Sequence, residues 1–488
     1  MATTDTYTNI DYSYLFGRRQ IFTTSDYFTV DNIISEVNQA LAIHVQNLIE
    51  EETLYWYRRG LQPILNRSKE VRPEICNKIV VNNAEQVCAF KNGYFYQKPG
   101  YYVSRKNNDN LTDKVRQLNE WMYICGKPHV DTQVVNWFDT VGLGVVYVEP
   151  NREDPEVKPL NIYAIDPRSS FVVYSLRPGN APVMGVNLIV DGGAIKVDAF
   201  TKDTVFRLSG TATGRFVTND PVYVATVTSV EAVEPNVIGE IPIIEYQYNE
   251  NRMSCFESAI TIMDAINNAE SNRMDGIEQA VQQLCVAYNC QFEEGMTAND
   301  IRQAGMIVLK SVGENKADFK ILDSVLDQNA TQTTLDDLYE QMLYKCSMPA
   351  TTKGGSSTSD TGTAVYLRDG WQMADTAARN TQDLFEISNR RFDKVVLKIL
   401  RMFNGFDLSL SDFELKLERN STSNLLVKAQ AAMNMKDLGL APEIALERSG
   451  LSNDPLNDIE LSKAYIQKVW GSSENTEMVD ETRVDLEA

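Results

Sequence analysis

With 488 residues the chain exceeds what one ordinary hydrophobic core serves, and length alone points to roughly two to four domains. Its composition, 43% hydrophobic and 23% charged, is that of a folded protein, and no uninterrupted apolar run reaches the roughly 20 residues a bilayer requires. A net charge of −21 excludes a protein that grips nucleic acid by neutralising many phosphates, whereas one that lets DNA slide past a repelling acidic wall is compatible with it.

In chain order, Met1–Asn9 is polar and carries Asp5, without the basic-then-apolar order of a signal peptide, so a cytosolic origin is expected. Residues 1–30, rich in Tyr, Thr and Asp, read as an irregular arm. Ile33, Val37, Leu41, Val45 and Leu48 recur near 3.6-residue spacing and predict a helix from Val30 to Arg59, stopped by Gly60. Residues 77–105 read as a short helix on Ile79, Val80, Val87 and Phe90, turning strand-like at Gly93-Tyr94-Phe95 and on to Val103. A helix over about 111–125 follows on Val115, Leu118 and Met122. Gly126 and Pro128 break it, and Asp131 is expected to cap the next, on Val134, Val135 and Phe138.

From Gly142 to Tyr248, β-prone runs such as Val145–Val148, Phe171–Tyr174 and Val186–Val190 alternate with turns such as Pro178-Gly179-Asn180. A long helix is expected over Arg252–Cys285, its apolar stripe interrupted by Asn267 and Glu270. A compact mixed region, 286–330, contains a strand-like Met306–Leu309. A helix over Thr331–Met348 ends at Pro349, and a flexible run of small polar residues follows from Thr351 to Asp360. A further long helix is expected over about 362–403, with Gly370 against it, then a strand over Phe406–Glu418 and a helical part over about 421–470. The acidic tail after Gly471 has the composition of a disordered segment.

Motifs for chemistry are weak. Seven scattered cysteines, an odd number, read as free thiols; Cys285 and Cys290 read as small apolar residues rather than metal ligands. His44 and His129 lie far from any cysteine cluster, which speaks against a zinc site or a histidine triad. Lys353-Gly354-Gly355-Ser356-Ser357 is Gly-rich but lacks the Gly-Lys-Ser/Thr order of a nucleotide loop, and Gly192-Gly193 reads as a turn. Asp336-Asp337 points its carboxylates apart on a helix and Glu293-Glu294 reads as a solvated turn, so neither pair recommends a metal-dependent nuclease. No catalytic residue, metal or cofactor is expected. Helix, compact insert, helix, polar loop and long helix together describe a hairpin-like excursion with little core of its own. It could pack on neighbours around a ring or form a helical domain of a monomer, and composition leaves both open.

Three stretches resemble siphophage-type portal proteins of tailed bacteriophages. The first is Asn77-Lys78-Ile79-Val80-Val81-Asn82-Asn83-Ala84-Glu85-Gln86-Val87 with Gly93-Tyr94-Phe95 and Lys98-Pro99-Gly100-Tyr101-Tyr102. The second runs from Ile241-Pro242-Ile243-Ile244-Glu245-Tyr246 through Asn249–Glu257 to Ile262-Met263-Asp264-Ala265. The third is Met348-Pro349, the Gly/Ser loop and Gly362-Thr363-Ala364-Val365. They keep the family's order and cover roughly Asn77 to Leu400.

The resemblance implies an α+β portal fold with long stem and wing helices, a β-rich wing, a small mixed clip insert and a helical crown. Carried over, the wing is 1–251, the stem helices 252–285 and 331–348, and the clip 286–330. The tunnel loop is 349–361, a wing helix and strand 362–420, the crown 421–470, and 471–488 the acidic tail. Lys353, Gly354, Gly355, Ser356, Ser357, Thr358 and Ser359 would face DNA, with Asp264, Glu270, Asp275 and Glu278 as stem acids facing the channel. The family's role is a ring, usually a dodecamer, at a capsid vertex of the virion, assembled in the host cytoplasm without contact with a membrane. It packages, retains and ejects double-stranded DNA without reading its sequence and joins head to tail. Its partners are the terminase motor, head–tail connector proteins, and major capsid and scaffolding proteins. The competing readings are another structural head–tail connector and a metal-dependent DNA enzyme.

Overall fold

A computed structural model describes residues 17–70, 72–105, 109–191, 193–213, 224–281, 284–288, 290–291, 310–311, 318–322, 328–350, 370–417, 425–452, 455, 458–459 and 462–463. The architecture is α+β, with helices laid on two stacked sheets. Strand β1 (Ile21–Thr23) pairs in parallel with β5 (Ser170–Ser175). From β5 an antiparallel meander runs through β6 (Pro182–Asp191), β7 (Ala194–Thr201), β8 (Thr204–Thr213) and β9 (Val224–Pro235). Alternation places Ile195, Val197 and Ala199 inward while Ala194 and Lys196 face out, as the two-residue period of a strand requires.

Helix α1 (Ile33–Arg58) covers the inner face, burying Ile33, Val37, Leu41 and Leu48 in one cluster with Val186, Val197 and Leu208. Each such side chain contributes about 1.5–3 kcal/mol. Asn38 fixes the docking: its Oδ1 accepts from Val227 N at 2.8 Å and its Nδ2 donates to Val227 O at 3.0 Å, so the side chain substitutes for a neighbouring strand.

The second sheet, in the order β10 (Ile243–Gln247), β3 (Leu143–Pro150), β4 (Leu160–Ile165), is antiparallel. Val145, Val172, Tyr174, Phe200, Val205 and Ile243 join it to the six-stranded sheet. Its other side packs on α4 (Lys127–Val141) and on the 34-residue helix α7 (Trp371–Asn404), with Phe138, Tyr246, Phe385, Phe392 and Leu400 at the centre. Helix α2 (Asn83–Phe95), strand β2 (Tyr101–Ser104) and helix α3 (Asp109–Ile124) precede α4, and β2 pairs with β15 (Phe413–Lys416). Helix α5 (Ile260–Val281) and helix α6 (Gln328–Lys345) form a hairpin, with short strands β11 (Leu284–Tyr288), β12 (Cys290–Gln291), β13 (Lys310–Ser311) and β14 (Asp318–Leu322) between them. Helices α8 (Leu425–Asp437) and α9 (Pro442–Ser449) follow β15.

Several sequence expectations change. Residues 77–81 are extended rather than helical and Asn82 turns left-handed at φ +52° to start α2, while Gly93-Tyr94-Phe95 continues α2 instead of starting a strand, because Tyr94 stacks on Phe90 at 5.6 Å and Phe95 is buried. Asp131 lies inside α4, which starts after a left-handed Gly126 with Pro128 in its first turn. Its buried carboxylate takes Lys127 at 2.6 Å and the Tyr96 hydroxyl at 2.9 Å. Helix α5 is shorter than expected, preceded by a 3₁₀ turn at Glu257–Ala259, and Cys285 belongs to β11. Gly370 opens α7 in a left-handed conformation instead of lying within it. Residues 1–16, 292–309, 351–369 and 464–488 lie outside the described residues, and with them the arm's start, the strand-like Met306–Leu309, the polar loop and the acidic tail.

Candidate functional site: the hairpin root and the neck of the loop

After β10 the chain must turn sharply before α5 can begin. Asn249 closes the turn, its Oδ1 accepting from Met253 N at 3.0 Å and its Nδ2 donating to Met253 O at 3.1 Å, while Arg252 adopts φ +57°. The turn presses on Gly142, the left-handed end of α4; a Cβ there would lie 2.1 Å from Arg252 O. Ser254 Oγ donates to Asp139 O at 2.9 Å, and Glu257 accepts from Ser254 N at 2.8 Å.

A buried charge cluster holds this root. Arg18 Nη2 donates to Glu257 Oε1 at 2.7 Å, and its Nε lies 3.0 Å from Glu50 Oε2 as an ion contact without hydrogen-bond alignment. Arg19 reaches Glu50 at 2.7 Å, and Arg252 reaches Glu245 at 2.5 Å. One buried arginine thus ties the segment before β1 to α1 and to the start of α5. Burial pushes the Glu51 carboxyl up to about 8 and the Asp139 carboxyl up to about 8, and raises Glu50 against the pull of Arg19 and Arg18.

The helix pair is antiparallel. Met263 and Ile266 of early α5 share a core with Met342 and Leu343 of late α6, and Arg273 Nη1 donates to Gln332 Oε1 at 2.9 Å farther along. Asn267, one of the two residues that interrupt the α5 stripe, has a structural partner, which it shares with Ser271 and Asp275. Asn267 Oδ1 accepts from Val81 N at 2.9 Å, Ser271 Oγ accepts from Ile79 N at 3.0 Å, and Asp275 Oδ1 accepts from Asn77 N at 2.7 Å. Spaced four apart, these side chains form a column on one helix face and bond alternate amides of the extended segment 77–81. That pairing is why the segment is not helical, and sequence periodicity missed it because the partners are nearly 200 residues apart.

This geometry places the sequence-derived acids. Asp264 accepts from the Tyr57 hydroxyl at 2.9 Å. Asp275, buried, meets Arg67 at 3.1 Å and Lys69. Desolvation opposes its charge, yet Lys69 and Asn77 hold the carboxyl below the usual carboxylate range. Glu278 Oε2 accepts from Asn77 Nδ2 at 3.0 Å, so Asp275 and Glu278 converge on Asn77; Glu270 is half-buried. Lys353, Gly354, Gly355, Ser356, Ser357, Thr358 and Ser359 lie outside the described residues, and the chain on either side of 351–369 comes together. A Cβ on Gly370 would meet Pro349 Cα at 3.9 Å, so the chain leaves after Ala350 and returns at nearly the same point. Lys91 Nζ donates to Ser347 O at 3.1 Å on one side, and Trp371 packs about 6 Å from Phe90 and Tyr94 on the other.

A polar cleft of about 590 Å³ opens elsewhere, lined by Tyr147, Glu149, Tyr163, Arg207 and Glu234, with Arg207 paired to Asp198 at 2.5 Å. Among the described residues, no three His, Cys, Asp or Glu side chains are grouped to hold a metal, and no helix is long and apolar enough to cross a membrane.

The family model described as "Phage portal protein, SPP1 Gp6-like" matches residues 38–469. No curated protein matches. A chain from the neck of an empty GTA particle, computed with C6 symmetry, is similar at 12% identity and a TM-score of 0.41, over 75% of this chain and 90% of that one. A chain from the neck of a native GTA particle, computed with C12 symmetry, is similar at 12% identity and a TM-score of 0.41, over 76% of this chain and 91% of that one.

Proposed function

The chain belongs to the phage portal protein family, and from that premise we propose that it forms a ring, a dodecamer, whose central channel passes double-stranded DNA into and out of the viral head. The observation that carries this reading is the family match over 38–469, which takes in the hairpin root, both hairpin helices and both ends of the polar loop. In this reading 1–251 and 362–420 form the wing, 252–285 and 331–348 the stem, 286–330 the clip, 349–361 the tunnel loop and 421–470 the crown. The ring occupies the capsid vertex, having assembled in the host cytoplasm with capsid and scaffolding proteins. Terminase docks on the clip during packaging, head–tail connectors dock there afterwards, and the same channel retains and later ejects the genome. The chain contributes no catalysis, so the terminase supplies the energy.

The channel wall works by repulsion. At −21 per chain, twelve copies carry on the order of a few hundred negative charges, strongly screened by salt but sufficient to keep phosphates off the wall. Asp264, Glu270 and Glu278 add to that potential, whereas Asp275 is neutralised locally by Arg67 and Lys69. Lys353 contributes one positive girdle at the loop, where hydroxyls of Ser356, Ser357, Thr358 and Ser359 touch phosphates without holding them.

Filter binding tests this. The assembled protein is expected to retain linear duplex at physiological salt no more tightly than roughly 10⁻⁴ M, the weak end of non-specific binding, whatever the sequence. Tight, sequence-dependent retention would contradict a non-adhesive channel.

A further inference from the structure

Cys88, on the second turn of α2, and Cys255, in the turn before α5, are separated by 167 residues, yet their Sγ atoms lie 3.6 Å apart in a buried seam. Both are held by one point on α4: Asp139 O accepts from Cys255 N at 3.1 Å, and Cys88 Sγ leans on the same carbonyl at 3.8 Å. A disulfide requires the sulfurs to close by about 1.5 Å, a displacement within reach of side-chain rotation where Cβ directions allow. The surrounding core contains Leu54 and Tyr57 of α1, Phe256, Ile260 and Met263 at the start of the hairpin, and Met342 and Cys346 at its end.

We propose that Cys88 and Cys255 are a two-electron redox pair that closes to an intrachain disulfide once the protein leaves a reducing cytosol and meets a hydroperoxide, stapling the hairpin root to α2. One thiol sulfur attacks the peroxide; the O–O bond breaks, water or an alcohol leaves, and a sulfenic acid forms. The other thiol sulfur attacks the sulfenic sulfur, the S–S bond forms, and the displaced hydroxide takes the second thiol proton as water. Two electrons from the sulfurs reduce one O–O bond. Burial pushes the Cys255 thiol well above its usual range, so closure is slow and waits on local opening of the turn. The reducing cytosol keeps the pair open during assembly, and oxidising surroundings close it afterwards. Cys346, buried in the same core, is the competing thiol, and half-buried Cys76 reports oxidant reaching the protein.

The test is peptide mapping of the full chain under non-reducing conditions, after hydrogen peroxide or dithiothreitol, with free thiols alkylated during unfolding. The expected product is a Cys88–Cys255 linked pair, reversed by dithiothreitol. It should be accompanied by a rise of about 5 °C in thermal midpoint, because the closed loop is long, and by slower amide exchange over residues 254–263. The rise should vanish in Cys88→Ala and Cys255→Ala. Recovery of both cysteines as thiols after Cys76 is fully oxidised would overturn the proposal, as would linkage through Cys346 or unchanged exchange at the turn in linked protein.

Discussion

Deleting Ser356 to Ser359 is expected to abolish DNA packaging while leaving the assembled ring intact. The second half of that expectation rests on the neck. Pro349 and Gly370 lie side by side, Lys91 holds Ser347, and Trp371 is packed by Phe90 and Tyr94, so the chain on either side of the loop is fixed independently of its length. Shortening a connection between fixed ends changes its closure entropy only slightly, since that cost varies as the logarithm of length. The first half rests on what the loop contains: small residues that bend readily and hydroxyls that touch phosphate weakly. Lys353→Gln should have a milder effect, sensitive to salt, because one exposed phosphate contact is worth little. Packaging in a terminase-driven assay, read beside the native mass of the same preparation, separates the two halves. Normal packaging by the deleted form would remove the loop from the mechanism.

Arg18→Met is expected to destabilise the chain by about 3–5 kcal/mol, the cost of leaving Glu50 and Glu257 buried without their shared cation. Methionine fills much of the arginine's volume, so the loss reflects charge rather than a cavity. The destabilisation should concentrate where Arg18 acts, between α1, the segment before β1 and the turn into α5. Arg116→Ala, by contrast, removes only an exposed pair with Asp113 on α3 and should leave the denaturation midpoint unmoved. Denaturant unfolding of both variants checks the contrast, and an Arg18→Met midpoint equal to that of the parent would show that Arg18 does not hold the root.

Much of the framework was legible because local pattern and final environment agree. The α1 stripe of Ile33, Val37 and Leu41 is buried against a sheet whose β5, β6 and β7 fall where β-branched runs alternate with turns. The hairpin was legible as well, although its first helix begins at Ile260 rather than Arg252, and so was the end of the long helix after the loop, whose expected start at 362 lies outside the described residues. What was not legible depends on distant partners. β1 is three residues long and exists only because β5 offers it a parallel edge. Segment 77–81 carries an apolar, helix-like pattern, yet Asn267, Ser271 and Asp275 bond its alternate amides and hold it extended. Of these only Asn267 stood out in the sequence, as a break in the apolar stripe of a long helix, and two of the acids named for a channel wall, Asp275 and Glu278, also accept from Asn77. The cluster of Arg18, Glu50 and Glu257 had no sequence signal, since isolated charges far apart in the chain carry no periodicity.

A portal requires many copies enclosing one opening. Native mass measurement of the purified chain, combined with electron microscope images of the same sample, addresses this most directly. The expected result is a closed assembly near twelve subunits with a central hole. A single 55.0 kDa species at every concentration, with no ring in the images, would contradict it.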